Sequence, residues 1–273
     1  MSDRFSWDSK IYENIAIVQK IGGIGLLEKI SVHGTDPFSP NALAGVRSIL
    51  DIGCGTGIQT VYLAKQLRHG TVLGIDLSPA MVAQARELAR KEAVNNLTIQ
   101  ELDAGKIEFS DRFDLVISNF ALHWIRNAAK LLERVVRSLR SDGTLAVQFP
   151  LVNEEHPMVI AMTRAIAAAG LEAHYNRWEF PWFRITPGDY RQLLASKGFA
   201  VSAVEQIEDE FLLSKEEFLV FYNAVGLPLY FAGLDNDLAR HLRHKLEKEV
   251  DAILPMPENQ VRFTRLLALA RKP

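Results

Sequence analysis

Apolar and polar positions follow two rhythms along this chain, and the change between them divides it. From residue 48, short apolar runs alternate with amphipathic stretches. The runs at 48–52 (SILDI), 71–75 (TVLGI), 97–102 (LTIQEL), 113–118 (FDLVIS) and 144–149 (TLAVQF) read as strands. Helices are predicted between them at 57–69, 79–94 and 124–139. Short apolar strands alternating with amphipathic helices make βαβ units, and these build a parallel sheet covered on both faces. Right-handed crossovers then give an α/β fold with a doubly wound, mostly parallel, Rossmann-like sheet.

Both flanks depart from this rhythm. Residues 9–21 carry Ile11, Ile15, Val18 and Ile21 at helical spacing, followed by Gly22, Gly23 and Gly25. After residue 150 a helix is predicted at 156–170, then an aromatic loop at 175–184 (YNRWEFPWFR). Thr186-Pro187 opens a helix that Gly198 ends, with Thr186 as cap and Pro187 at the first position. A strand at 201–212, a helical insert at 214–254 and a last strand at 261–271 complete the pattern. The expected organisation is an N-terminal helical segment over the site (1–47), a cofactor-binding core (48–150) and a lid insertion (151–185). A core helix and strand (186–213), a second helical lid insertion (214–258) and a final core strand (259–273) follow.

Composition narrows the class. The 273 residues are 48% hydrophobic and 23% charged, enough apolar content for a sizeable core. The net charge of −2 and the absence of a Lys/Arg-rich stretch argue against nucleic acid as a partner. The start is too polar for a signal peptide, and no apolar run reaches membrane-spanning length, so a cytoplasmic protein with no membrane partner is expected. A single cysteine, Cys54, forms no intramolecular disulfide and predicts no metal site. The pattern says nothing of oligomeric state.

The chemistry concentrates at Ser48–Gly57 (SILDIGCGTG). A strand that runs into a glycine turn and then a helix presents bare backbone N–H groups at the carboxyl edge of the sheet. Asp76 stands at the end of the next strand, where an acid can accept both hydroxyls of a ribose. Two cofactor classes use such a turn. The dinucleotide spacing G-x-G-x-x-G, counted from Gly53, requires glycine at position 58, which is Ile58. Asp51, two residues before the first glycine, would repel a pyrophosphate but suits the ammonium of a methionine moiety. The spacing therefore favours S-adenosylmethionine over a nicotinamide dinucleotide.

These motifs resemble those of class I methyltransferases, in order and at the usual spacing. They are DIGCGTG, then GIDLSPAM (Gly74–Met81), Leu102-Asp103-Ala104, FDLVISN (Phe113–Asn119) and LRSDGTL (Leu139–Leu145). The resemblance implies that Asp51, Gly53, Cys54, Gly55 and Gly57 hold the methionine end of the cofactor. It implies Asp76, Leu77 and Met81 around the ribose and adenine, Asp103 and Ala104 at the adenine edge, and Asn119 beside the sulfonium. Blander readings stand beside these. Asp76 can cap a helix, Asp103 can be a turn acid, and Cys54 is a small spacer in the turn rather than a nucleophile.

The run SNFALHW (Ser118–Trp124) resembles a narrower group that methylates carboxylates, that of the trans-aconitate, malonyl-carrier-protein and juvenile hormone acid methyltransferases. The expected acceptor is therefore a small molecule, methylated on a carboxylate oxygen. His123 and Trp124 are the candidate catalytic residues; Tyr12, Gln19, Arg177, Trp178, Trp182 and Arg184 are candidates for substrate binding. An ionised carboxylate needs no general base, and an arginine can hold a second carboxylate as a bidentate pair. Transfer to a phenol, amine or carbon would instead make His123 useful as a base. A cofactor-binding fold put to non-catalytic use is the further alternative. The NPPY-like run of nucleic-acid N-methyltransferases is missing. His241 and His244, three apart on a charged helix, read as a solvated face rather than a metal site.

Overall fold

The computed structural model describes Leu26 and residues 43–67, 69–152, 154–178 and 182–273. Five parallel strands form its centre: β1 (Ser48–Ile52), β2 (Thr71–Asp76), β3 (Leu97–Glu101), β4 (Phe113–Asn119) and β5 (Leu139–Pro150). Two long strands, β6 (Ala200–Leu213) and β7 (Asn259–Arg271), run antiparallel at one edge. Among the described residues the sheet order is β3-β2-β1-β4-β5-β7-β6. The strand order reverses between β1 and β4, and a ligand crevice opens at such a switch point, beyond the carboxyl ends of the strands.

The inner strands β1, β2 and β4 are largely apolar on both sides because both faces are covered, whereas β3 at the edge buries only Ile99. Every residue of β1 is buried. On one face Leu50, Ile52, Val116, Val147 and Phe149 pack against helix α3 (Ala128–Ser138) and helix α6 (Pro187–Ser196), through Leu131, Val135, Tyr190 and Leu194. On the other face Ile49, Leu115, Ile117 and Leu267 meet Leu26 and helix α1 (Ile58–Gln66) through Leu63 and Ala64. Helix α2 (Pro79–Lys91) closes over Cys54 and Ile99 with Val82 and Ala85.

Several boundaries differ from the sequence reading. The helix expected from residue 124 starts at Ala128, because Asn127 accepts the Lys130 N–H as its cap; Leu122–Trp124 before it form a 3-10 turn. β5 starts at Leu139 rather than 144. Its first residue pairs with Phe113, and the register shifts before Leu115 meets Thr144. That irregularity absorbs the SDG turn, where Asp142 has φ +64° and a Cβ on Gly143 would come within 2.8 Å of the Arg140 carbonyl. The insert expected as one helical stretch is three helices: α7 (Lys215–Val225), α8 (Leu227–Phe231) and α9 (Asn236–Ile253). Gly226 ends the first, and Asp235 caps the last by accepting the N–H groups of Asp237 and Leu238.

These three helices share a core with helix α4 (Pro157–Ala168) and with Tyr175 of the short helix α5 (Glu172–Tyr175). Met158, Met162 and Ala165 of α4 meet Phe218, Tyr222, Leu242, Leu246 and Val250. This helical lobe rides on the β6–β7 ribbon. β5 pairs with β7 only as far as Pro150↔Arg265, whereas β6 and β7 stay paired to Leu213↔Asn259. The ribbon therefore projects past the carboxyl ends of the parallel strands, and the lobe it carries stands over that edge. Among the described residues no helix is long and apolar enough to cross a membrane.

Candidate active site

The glycine turn has the backbone that its composition calls for. Gly53, Gly55 and Gly57 all lie at positive φ, at 76°, 54° and 84°. The N–H groups of Gly53 and Cys54 both donate to the Ile75 carbonyl, which ties the turn to the end of β2. A Cβ on Gly53 would sit 2.1 Å from the Cβ of Ala121, so the turn is pressed against the segment after β4. A Cβ on Gly55 would meet nothing within 4 Å, which leaves a bare backbone cradle there.

Two carboxylates flank that cradle. Asp51 is buried at the end of β1 and accepts the Thr60 hydroxyl at 2.6 Å. Burial pushes its carboxyl up to about 7; the Thr60 bond pulls the other way, and the Asp76 charge adds to the rise. Asp76 accepts the N–H of Gly55 and of Ser78, each at 2.9 Å, and burial raises its carboxyl against those bonds. The cap of α2 is not Asp76 but Ser78, which accepts the Met81 N–H. A carboxylate at the glycine turn, a second beside it and an open backbone cradle fit a ligand carrying an ammonium group and a ribose.

The remaining residues of this edge differ in character. Leu77, next after Asp76, is 69% exposed, whereas Met81 is buried in the first turn of α2. Cys54 is buried and its thiol is held far above the ordinary range, chiefly by burial, which suits a spacer and not a nucleophile. Asp103 accepts the Gly105 N–H at 2.8 Å at the start of a 3-10 turn that Ala104 opens, so it does serve as a turn acid. Asn119 ends β4, and its Oδ1 accepts from Gln148 Nε2 at 2.5 Å. Phe120 follows at φ +53°, an uncommon conformation for a bulky side chain, and lines the neighbouring cavity.

That cavity lies between the carboxyl edge and the lobe. Its empty space is about 940 Å³, counting the part open to solvent. Phe120, Trp124, Leu151, Met158, Trp182 and Leu227 supply much of its apolar wall. His123 is buried within an aromatic cluster, its ring 4.5 Å from Trp182 and 5.2 Å from Trp124. Burial lowers its imidazole to about 3, and among the described residues its Nδ1 has no hydrogen-bond partner. The ring is therefore neutral and a weak base at neutral pH.

The cavity also holds polar groups that sequence reasoning missed. His156 Nδ1 accepts the Met158 N–H at 3.2 Å, so its neutral ring carries the proton on Nε2, 2.7 Å from the Tyr222 hydroxyl. Burial holds His156 down to about 4 and Tyr222 well above the ordinary phenol range. Arg265 is buried. Its Nε and Nη2 donate to Asp209 at 2.6 and 3.4 Å, and its Nη1 donates to Gln148 Oε1 at 2.7 Å. Asp209, Arg265, Gln148 and Asn119 thus form one string of hydrogen bonds from the cavity to the carboxyl end of β4. The available signal was a polar residue at an inward position of an apolar strand: Gln148 in AVQFP and Arg265 in FTRLLALA.

The predicted substrate residues divide. His123, Trp124 and Trp182 line the cavity together. Trp178 instead packs in the lobe, 4.6 Å from the Tyr230 ring. Arg177 and Arg184 are exposed and do not line the cavity, although the Arg184 charge acts on Tyr230 at its wall. Tyr12 and Gln19 lie outside the described residues. His241 and His244 are exposed on α9, and among the described residues no cluster of metal-binding side chains occurs.

Comparison with known proteins agrees with this geometry. Residues 49–143 match a family described as a methyltransferase domain. The chain is 34% identical to trans-aconitate 2-methyltransferase of Deinococcus radiodurans over 238 residues, covering 82% of this chain and 86% of that one. It is 32% identical to malonyl-[acyl-carrier protein] O-methyltransferase of Acetivibrio thermocellus over 142 residues, 52% of this chain and 46% of that one. Phosphoethanolamine N-methyltransferase 2 of Haemonchus contortus, solved with S-adenosyl-L-methionine, shares the fold at a TM-score of 0.57 and 18% identity. That match covers 97% of this chain and 56% of the other. The chain therefore belongs to the S-adenosylmethionine-dependent methyltransferases, with the trans-aconitate 2-methyltransferase of Deinococcus radiodurans among its relatives.

Proposed function

We propose that this enzyme methylates a carboxylate oxygen of a small-molecule acid. The observation that carries the reading is the protonation state of the cavity wall. His123 is held near 3 and His156 near 4, while Tyr222 and Tyr230 are held above the ordinary phenol range. Among the described residues no imidazole or phenol there is poised to take a proton at neutral pH. A phenol or ammonium acceptor would have to lose one; a carboxylate, with an ordinary pKa near about 4, is already ionised. The names of the two relatives point the same way, since trans-aconitate and malonyl groups are both acids.

S-adenosylmethionine supplies an activated methyl group on a sulfonium. In this reading Asp51 and the turn Gly53–Gly57 bind its ammonium end and Asp76 its ribose. Leu77, Asp103 and Ala104 lie along the adenine, and Asn119 lies beside the sulfur. Phe120, His123, Trp124 and Trp182 exclude water from the acceptor, which strips the carboxylate of solvent and orients it. The bound donor would supply its methyl group to an acceptor oxygen that is already ionised, so none of these residues has to hold or move a proton.

The test is transfer of a labelled methyl group to a panel of acids, phenols and amines. Label that mild base releases as methanol supports the ester. Label stable to base, carried only on phenols or amines, sinks the reading. Replacing His123 by glutamine is expected to leave kcat for the acid flat between pH 6 and pH 8, as in the parent enzyme; a step near pH 6.5 in the parent alone would restore His123 as a base.

The cofactor site has its own pH signature. An ammonium placed beside Asp51 favours the ionised carboxylate, so binding releases the proton that Asp51 holds below pH 7. Affinity for S-adenosylhomocysteine is expected to rise with pH through about 7, and to fall by up to about tenfold per pH unit below it. Calorimetric titration at several pH values measures this, and Asp51→Asn should bind more weakly with a flattened profile. An unchanged slope in that variant would remove Asp51 from the ligand.

A further inference from the structure

We propose that the acceptor is a monocarboxylic acid with an apolar body, and that Arg265 holds its carboxylate. This rests on the carboxylate reading above and names the substrate class within it. Three observations carry it.

The first is the donor count. A guanidinium has five N–H groups. Among the described residues Asp209 takes one from Nε and one from Nη2, and Gln148 takes one from Nη1. One N–H on each terminal nitrogen remains, on a buried side chain that lines the cavity. Each of these can donate a charge-assisted hydrogen bond to a carboxylate oxygen.

The second is place. Arg265 is linked through Gln148 to Asn119, at the carboxyl end of β4 beside the glycine turn. A carboxylate on Arg265 is therefore at the cofactor end of the cavity, while Met158, Phe221, Val225 and Leu227 of the lobe surround the space beyond. An acid held this way lays an apolar chain or ring along the lobe.

The third is charge. Arg265 is the one guanidinium or ammonium side chain among the described residues that line the cavity, and Asp209 already balances it. One carboxylate brings one negative charge, which the sulfonium of the donor balances. The loaded site is neutral before transfer and neutral after it. A tricarboxylate would leave two further charges among aromatic and aliphatic walls with no cation from the described residues to meet them.

The test compares kcat/KM for a medium-chain fatty acid, an arylpropanoic acid and trans-aconitate. The apolar acids should exceed the tricarboxylate by roughly 100-fold or more. The paired variant Arg265→Met/Asp209→Leu removes the donors without stranding a charge. It should raise KM for the acid by roughly 30-fold while S-adenosylhomocysteine affinity stays within about twofold, a split that a merely structural role would not produce. The wild-type enzyme gives a second readout that needs no variant. The apolar acid should bind roughly tenfold tighter beside sinefungin, which carries a cationic amine near the methyl position, than beside neutral S-adenosylhomocysteine. Preference for trans-aconitate, an unmoved KM in the paired variant, or equal binding beside the two cofactor analogues overturns the proposal and leaves carboxylate methylation standing. Transfer only to phenols or amines defeats that broader reading instead.

Discussion

Gly53→Ala lowers the stability of this protein by about 4 kcal/mol, the sum of a left-handed backbone penalty and a steric clash. At this chain length that corresponds to a fall of roughly 8–15 °C in melting temperature. The clash is specific. The new Cβ would lie 2.1 Å from the Cβ of Ala121, and the next contact, with the Ala121 Cα, is at 3.6 Å. Removing the Ala121 methyl group should therefore relieve most of the damage. The double variant Gly53→Ala/Ala121→Gly is expected to recover all but about 1–2 kcal/mol, the part owed to φ +76°. Thermal melts of the two single variants and the double complete the cycle. Additive effects would mean that the turn and the segment after β4 do not touch. The contact matters for function because it fixes the glycine turn against Phe120 and His123, the first residues of the acceptor cavity.

The second large effect is expected at Arg265. Arg265→Met alone leaves Asp209 half-buried with its partner gone and costs about 3–5 kcal/mol. Adding Asp209→Leu should return stability to within about 1 kcal/mol of the parent, because removing a whole buried pair strands no charge. The two side chains are 7% and 20% exposed, so water does little to screen the lone carboxylate. Urea melts of the single and paired variants decide it. A single variant as stable as the parent would mean that the pair is solvated and idle.

The features legible in the sequence are the local ones. Glycines at 53, 55 and 57 mark a turn by their own backbone chemistry, and Asp51 and Asp76 mark strand ends by following apolar runs. The inner parallel strands β1, β2 and β4 announce themselves because both faces are buried, so each is a largely apolar stretch; the edge strand β3 buries only Ile99. The Asp209–Arg265 pair is different in kind. Its members are 56 residues apart and meet only because β6 and β7 pair antiparallel with Ile207 opposite Arg265. No local pattern encodes that register. Arg177 and Arg184 stood out for lying in an aromatic loop, but aromatic neighbours in sequence are not neighbours in the cavity. Trp182 turns inward onto His123, whereas both arginines stay at the surface. The division of the 214–254 insert into three helices depends on Gly226 and on the Asp235 cap, signals too weak to place without the packing they serve.

The β6–β7 ribbon that carries the lobe has an evolutionary consequence. Residues of the proposed donor site belong to β1, β2 and β4 and the turns after them, while half of the proposed acceptor wall lies on the two strands that outrun the sheet and on the helices between them. Insertions, deletions and exchanges within residues 151–185 and 214–258, which leave the core helix α6 and strand β6 in place, can reshape what is methylated without disturbing how the methyl group is delivered. Lineages that share this core are therefore free to diverge in acceptor while their donor motifs stay nearly constant. A chimera that exchanges the lobe between two such enzymes should inherit the acceptor preference of the lobe.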